Sequence, residues 1–278
     1  YLEYLCLASA YRIIPKIPRE LLRVLAAGLG TVGYYFNGEG RRTATVNLAA
    51  AFPGRYSDAE IEDLVRKCYR SWAQTYLDQF WTSRLTPENF QEHVTYQIDD
   101  SEGFARVRDG IGILMTPHYG NFEWGAACLG FHGIHYTAIA QDFKNPRLTE
   151  IFKKNRELIG HTLVPQKSAM LRLLRVLKKR GHAAFLPDLT VPPSQAATII
   201  EVFGLKVSVT LLASFLIKKT GAEVLTGIAF PTEYGCHGHV LPILKFSEES
   251  TEREIAQGCW DAVEPLIAQR PENWLWMY

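Results

Sequence analysis

Apolar positions in the chain repeat most regularly between residues 57 and 84. Ile61, Leu64, Val65, Cys68, Tyr69, Trp72, Tyr76, Leu77 and Phe80 recur at three- and four-residue steps. That spacing predicts one long amphipathic helix reaching Arg84. Ser57-Asp58-Ala59-Glu60 supplies its start as a capping box, in which the Ser oxygen accepts a free N–H and the Glu reaches back. Thr86-Pro87-Glu88 predicts a short helix with proline in its first turn. Upstream, residues 4–14 and 21–36 read as two apolar helices separated by Pro15 and Pro18. Arg12, Lys16, Arg19 and Arg23 fringe them. Such a pair suits a membrane interface, and a surface pair on a soluble core reads the same way.

From His93 onward the pattern changes to short apolar runs alternating with helical periods. Strands are expected at 94–98, 112–116, 135–140, 183–187, 199–203, 224–230 and 239–246. Helices are expected at 101–108, 122–131, 147–159, 168–180, 209–219 and 252–269. This alternation predicts an α/β fold: a central, mostly parallel sheet flanked by helices, with an N-terminal helical cap. Residues 232–238 read as a hairpin loop, which makes one edge of the sheet antiparallel. We expect residues 1–92 to form the helical region, packed on the core or anchored to membrane. Residues 93–278 form the α/β core, in one continuous domain.

The chain has 278 residues, 47% hydrophobic and 21% charged, with a formal net charge of +1. A disordered chain is excluded, and a general nucleic-acid binder would need a strong basic excess. Five widely spaced cysteines contain no C-x-x-C pair, so neither a disulfide framework nor a zinc knuckle is indicated. His237 and His239 share a strand face but have no third ligand in sequence reach. Charge is uneven, however. Lys144 to Arg180 holds eleven Lys or Arg against Glu150 and Glu157. A solvated face would look like this, as would a surface for lipid phosphates, an anionic bilayer or an acidic carrier protein. No apolar run near the start is long enough to span a bilayer. The chain starts at Tyr1 rather than Met, so an anchor ahead of it is an expectation of the sequence.

Chemistry concentrates at residues 111–124, Ile-Gly-Ile-Leu-Met-Thr-Pro-His-Tyr-Gly-Asn-Phe-Glu-Trp. An apolar strand runs out at His118, Gly120 allows a tight turn, Asn121 caps, and a helix follows. This places His118 at the carboxyl end of a strand, where open α/β sheets bind ligands. Glu123 lies five residues on. Across the turn its carboxylate can accept the imidazole N–H and fix the tautomer. Backbone N–H groups near Gly120, Asn121 and Phe122 are candidates to hold an oxyanion. A His base acting on a hydroxyl fits these parts. No G-x-S-x-G elbow and no H-E-x-x-H occurs. A capped helix beside a satisfied histidine would share the spacing.

His118-x4-Glu123 resembles the H-x4-D/E motif of membrane glycerolipid and glycolipid acyltransferases. The chain more widely resembles the bacterial lipid A biosynthesis acyltransferase family of the lauroyl/myristoyl type. The matching segments are Asn47-Leu48 with Ala51-Phe52-Pro53-Gly54, Asn145-Pro146, Arg156, Gly160, Pro187-Asp188 and Val202-Phe203-Gly204. Thr220-Gly221-Ala222 and Pro271, Trp274 and Trp276 continue the series in order. The resemblance implies a glycerolipid acyltransferase-like fold and a membrane-associated O-acyltransferase. It would move a fatty acyl chain from an acyl carrier protein or coenzyme A thioester to a hydroxyl of a membrane glycolipid, such as a lipid A precursor.

Carried over by position, His118 is the base and Glu123 its orienting partner. Arg156 and Asp188 contact substrate in the cleft, with Gly120 and Asn121. The resemblance implies the cytoplasmic face of a bacterial inner membrane, partnership with an anionic membrane surface, no nucleic acid, and no metal or organic cofactor. Leu189 stands where the family usually has Gln, and Tyr278 near where a His is common. These departures keep two other readings open, an inactive binding module for lipid or carrier protein, and a thioesterase in which the base activates water.

Overall fold

A computed structural model describes residues 2–140, 145–194 and 196–277 of the chain. Lys144 of the basic run and Tyr278 lie outside the described residues. The chain opens with α1 (Leu2–Ile13), α2 (Arg19–Phe36), α3 (Gly38–Ala51) and α4 (Asp58–Trp81). The Ser57–Glu60 capping box forms as its sequence predicts, and α4 gives way at Thr82 to a 3-10 turn ending at Arg84. The short helix expected at Thr86 is a turn followed by a 3-10 segment, Phe90–Glu92. The period does not reveal α3, because its run of small residues carries only a weak apolar stripe.

Alternating elements follow: β1 (Val94–Ile98), α5 (Ser101–Asp109), β2 (Gly112–Met115), α6 (Phe122–Ala127), β3 (Tyr136–Ala140), α7 (Pro146–Glu157), β4 (Thr162–Pro165), α8 (Ala169–Lys178) and β5 (His182–Phe185). Then come β6 (Ala197–Val202), β7 (Leu205–Thr210), α9 (Leu212–Thr220), β8 (Glu223–Pro231), β9 (Cys236–Val240) and α10 (Glu252–Gln269). Seven strands form one sheet in the order β1-β9-β8-β2-β5-β3-β4. The expected α/β class and mostly parallel sheet are therefore present. The 232–238 hairpin does pair β8 with β9 antiparallel, but β9 is not the edge. β1 adds outside it, parallel to β9.

β6 and β7 stand apart as a two-stranded hairpin, where the sequence predicts one strand in the sheet and a helix from residue 209. Its two-residue turn puts Phe203 at φ 49° and Gly204 at φ 72°. Positive φ at both positions matches the twist of the flanking strands. A turn centred on Phe rather than Asn-Gly carries no usual hairpin signature, so the sequence hides it.

The helical region meets the sheet through α4. α2 presents Leu22, Ala26, Gly30 and Tyr34, all buried, to α4. A Cβ on Gly30 would lie 2.5 Å from Cα of Arg70, so only glycine lets the two helices approach this closely. The other face of α2 leaves Leu21, Val24, Leu25, Leu29, Val32 and Phe36 exposed. α4 in turn packs on α6 and on the C-terminal segment after α10, directly over the carboxyl ends of the central strands.

Candidate active site

β2 is buried along its whole length and pairs in parallel with β5, Met115 beside Phe185. Both chains continue past that pair for three residues, one to His118 and the other to Asp188. Two parallel strands in register thus deliver two side chains to one point, although they lie 70 residues apart. His118 Nδ1 stands 2.7 Å from Asp188 Oδ1. The His118 backbone N–H donates to Oδ2 at 2.6 Å, and the Trp274 indole N–H donates to the same oxygen at 2.8 Å. The Asp188 side chain is only 2% exposed. A buried carboxylate with three donors around it is acceptor-only, so Nδ1 carries a proton and Nε2 is the ring nitrogen that does not face Asp188. Trp72 of α4 and Phe122 flank the ring at centroid distances of 6.1 and 5.0 Å.

Glu123 does not orient His118. Its two oxygens accept from Arg156 of α7, one from Nε at 3.2 Å and one from a terminal guanidinium nitrogen. The carboxylate beside Arg156 holds the guanidinium pKa up. The five-residue spacing brings Glu123 to the first turn of α6, but that turn faces α7 rather than the imidazole. The contact with the imidazole expected of Glu123 is made by Asp188 instead. Arg156 is correspondingly committed to Glu123 rather than open as a lone anion site.

Gly120 and Asn121 also do something other than expected. Gly120 sits at φ 52°, and a Cβ there would meet the Ala229 carbonyl oxygen at 2.0 Å. Its N–H donates to Asn273 O at 2.8 Å, and that of Asn121 to Ala229 O at 3.2 Å. Both N–H groups are therefore spent on the fold and are not free for an oxyanion. The Asn121 side chain is buried and caps α6 by accepting from the Trp124 N–H. Its amide nitrogen donates to Asp78 of α4 at 2.7 Å.

The scattered motifs of the sequence meet here through aromatic contact. Phe52 touches Phe203 and Trp276, and Phe203 touches Trp274 and Trp276, at centroid distances of 5.2–5.8 Å. Asn47 donates its side-chain amide to Trp276 O at 2.9 Å. The C-terminal segment is thereby clamped to α3 and presents Trp274 to Asp188. In the sequence Trp274 stands out only by its place in a pattern. Its link to Asp188 depends on tertiary closure and has no local signal. Under α6 lies a small apolar cavity of about 40 Å³, lined by Met115, Thr116, Phe122, Gly125 and Ala126. Tyr96 closes its far side, its hydroxyl donating to Gly125 O at 2.8 Å.

Among the described residues no cluster of three or more His, Cys, Asp or Glu could hold a metal. His237 faces Thr95 of β1 at 2.9 Å, and His239 faces Asp99, just after β1, at 2.8 Å. Cys68, Cys128 and Cys259 are buried free thiols whose pKa values burial raises to about 12.

No curated protein matches the chain. The family model described as bacterial lipid A biosynthesis acyltransferase matches residues 1–278. It spans the helical region, the sheet and every segment that converges on His118, and the chain belongs to the bacterial lipid A biosynthesis acyltransferase family and is an acyltransferase.

Proposed function

We propose that the chain transfers a fatty acyl group from an acyl carrier protein or coenzyme A thioester to a hydroxyl of a lipid A-type glycolipid, with His118 as general base. The observation that carries this reading is the His118–Asp188 pair at the carboxyl ends of β2 and β5. Asp188 fixes the imidazole with its proton on Nδ1, leaving Nε2 to take the hydroxyl proton. The oxygen then attacks the thioester carbonyl, the C–S bond breaks, and the leaving thiolate recovers the proton from His118. No acyl-enzyme is formed. Trp274 supports the same geometry from the far side of Asp188.

The reading includes a seat on an anionic membrane. α2 exposes Leu21, Val24, Leu25, Leu29, Val32 and Phe36 on one side, and Lys16 and Arg23 lie close by in the sequence. No described helix is long and apolar enough to cross a membrane. An amphipathic helix of this kind lies in the interface plane, apolar face down. α7 packs beside α1, and Arg147 of α7 lies 5.4 Å from the Tyr4 ring centroid. Arg172, Arg175, Lys178, Lys179 and Arg180 on and after α8 are exposed and extend the positive surface.

Lipid mass spectrometry on cells carrying His118→Ala in the intact gene tests the proposal. Loss of one acyl chain from one glycolipid supports it, and the mass difference names the chain. An unchanged lipid profile with the folded variant at the membrane favours the binding-module reading instead. Free fatty acid made by the wild type in place of acylated lipid favours a thioesterase.

A further inference from the structure

Asp78 of α4 is fully buried. Its Oδ1 takes the Arg19 guanidinium and the Gln74 amide, and its Oδ2 takes the Asn121 amide at 2.7 Å. Arg19, 8% exposed, lies over the Trp81 and Trp124 rings at 5.3 and 4.8 Å. Burial raises the Asp78 pKa, and the Arg19 hydrogen bond opposes that rise. A buried ion pair of this kind is a poor source of stability, since an apolar pair of equal volume often does as well or better. Its contacts point to a different role. Asn121 must turn its amide nitrogen to Asp78, which leaves its oxygen for the Trp124 N–H at 3.2 Å. The Trp124 indole N–H in turn donates to Asp78 O at 3.0 Å and to Thr82 Oγ1 at 2.9 Å. One helical turn earlier on α4, Thr75 donates its hydroxyl to Gly120 O at 2.8 Å. The loop from His118 to Phe122 is thus gripped from α4 at two successive residues, Gly120 and Asn121.

We propose that Asp78 and Arg19 are positioning residues for acyl transfer: through Asn121 they set the turn that carries His118 and so aim Nε2. This rests on His118 being the base. Neither residue touches the reacting atoms. Asp78→Asn must put an amide NH₂ against either Asn121 or the Arg19–Gln74 side, and every one of those partners is a donor. The turn then rotates, and misplacement by about 1 Å costs on the order of 100-fold in rate.

The test compares Asp78→Asn, the double variant Arg19→Met/Asp78→Asn, and His118→Ala, all in the full chain in membranes. The donor probe is a labelled dodecanoyl thioester of acyl carrier protein, and the readouts are label entering glycolipid and thermal unfolding. Asp78→Asn is expected to lower kcat about 10–100-fold with KM for the donor within about threefold, and to lower Tm. The double variant removes both buried charges and should regain Tm while kcat stays down. Recovery of kcat together with Tm would make the pair a stability element and overturn the proposal. So would an unchanged kcat in the folded single variant. Full turnover in His118→Ala would instead remove the base assignment, and the positioning role with it.

Discussion

Asp188 accepts from His118 twice, once from the ring Nδ1 at 2.7 Å and once from the backbone N–H at 2.6 Å. The carboxylate therefore fixes both where the residue sits and which way its ring faces. The two oxygens are not equivalent, and this gives a sharp prediction.

In Asp188→Asn, Oδ2 faces two N–H donors, from His118 and Trp274, so the amide oxygen must occupy that place. The NH₂ then faces Nδ1, which is forced to accept, and the proton moves to Nε2. The base is lost without loss of shape. Turnover should fall by on the order of 10⁴-fold, as for comparable tautomer reversals. A folded Asp188→Asn enzyme within tenfold of wild type would refute the dyad.

Trp274→Phe keeps the ring packing on Phe203 and Trp276 but deletes one hydrogen bond to the Asp188 carboxylate. A hydrogen bond to a charged group contributes about 1.5–3 kcal/mol. If that is felt in the transition state, steady-state rates should drop about 10–100-fold. The folded state loses the same bond, so the urea midpoint should fall as well, and the rates are compared under conditions where the variant is fully folded.

Glu123 and Arg156 form a part-buried pair, with side chains 16% and 29% exposed. Removing one partner strands the other charge, at a cost of about 1–3 kcal/mol, between the exposed and buried cases. Glu123→Gln and Arg156→Gln should therefore each destabilise, and the double variant should cost less than their sum. A double-mutant cycle on denaturant midpoints reads this coupling. Additive losses would mean the two side chains act independently.

His161 is 2% exposed, with Nε2 donating to Ala127 O at 2.8 Å and Nδ1 accepting from the Tyr136 N–H at 3.3 Å. That environment requires the neutral ring, and burial lowers its pKa from 6.5 to about 4. The unfolded chain binds the proton first as pH falls. Stability is thus complete above about pH 6.5 and is lost progressively toward pH 4, by about 3 kcal/mol. Urea unfolding of wild type and His161→Gln at pH 7.5 and 4.5 isolates this share. The variant should show the shallower dependence, and equal slopes would exclude His161.

The local sequence was sufficient wherever one element decides its own shape. The α4 period and its Ser57–Glu60 box are contacts within a few residues, and they appear as predicted. The strand-to-helix turn at His118 is equally local, since Gly120 and Asn121 themselves form the turn that links β2 to α6. Spacing nevertheless misled on Glu123. A five-residue separation fixes how far apart two side chains start, but not which neighbour each finds. Asp188 became the partner because β5 lies beside β2 in the sheet, a strand order that no segment encodes alone. The same holds for Trp274, carried to Asp188 by Asn47, Phe52 and Phe203, and for the Arg19–Asp78 pair under Asn121. The sequence by itself determined the α/β class, most of the strongly periodic elements and the strand-end position of His118. Tertiary structure decided which charges meet, because ion pairs and hydrogen bonds across tens of residues exist only once packing has closed the distance.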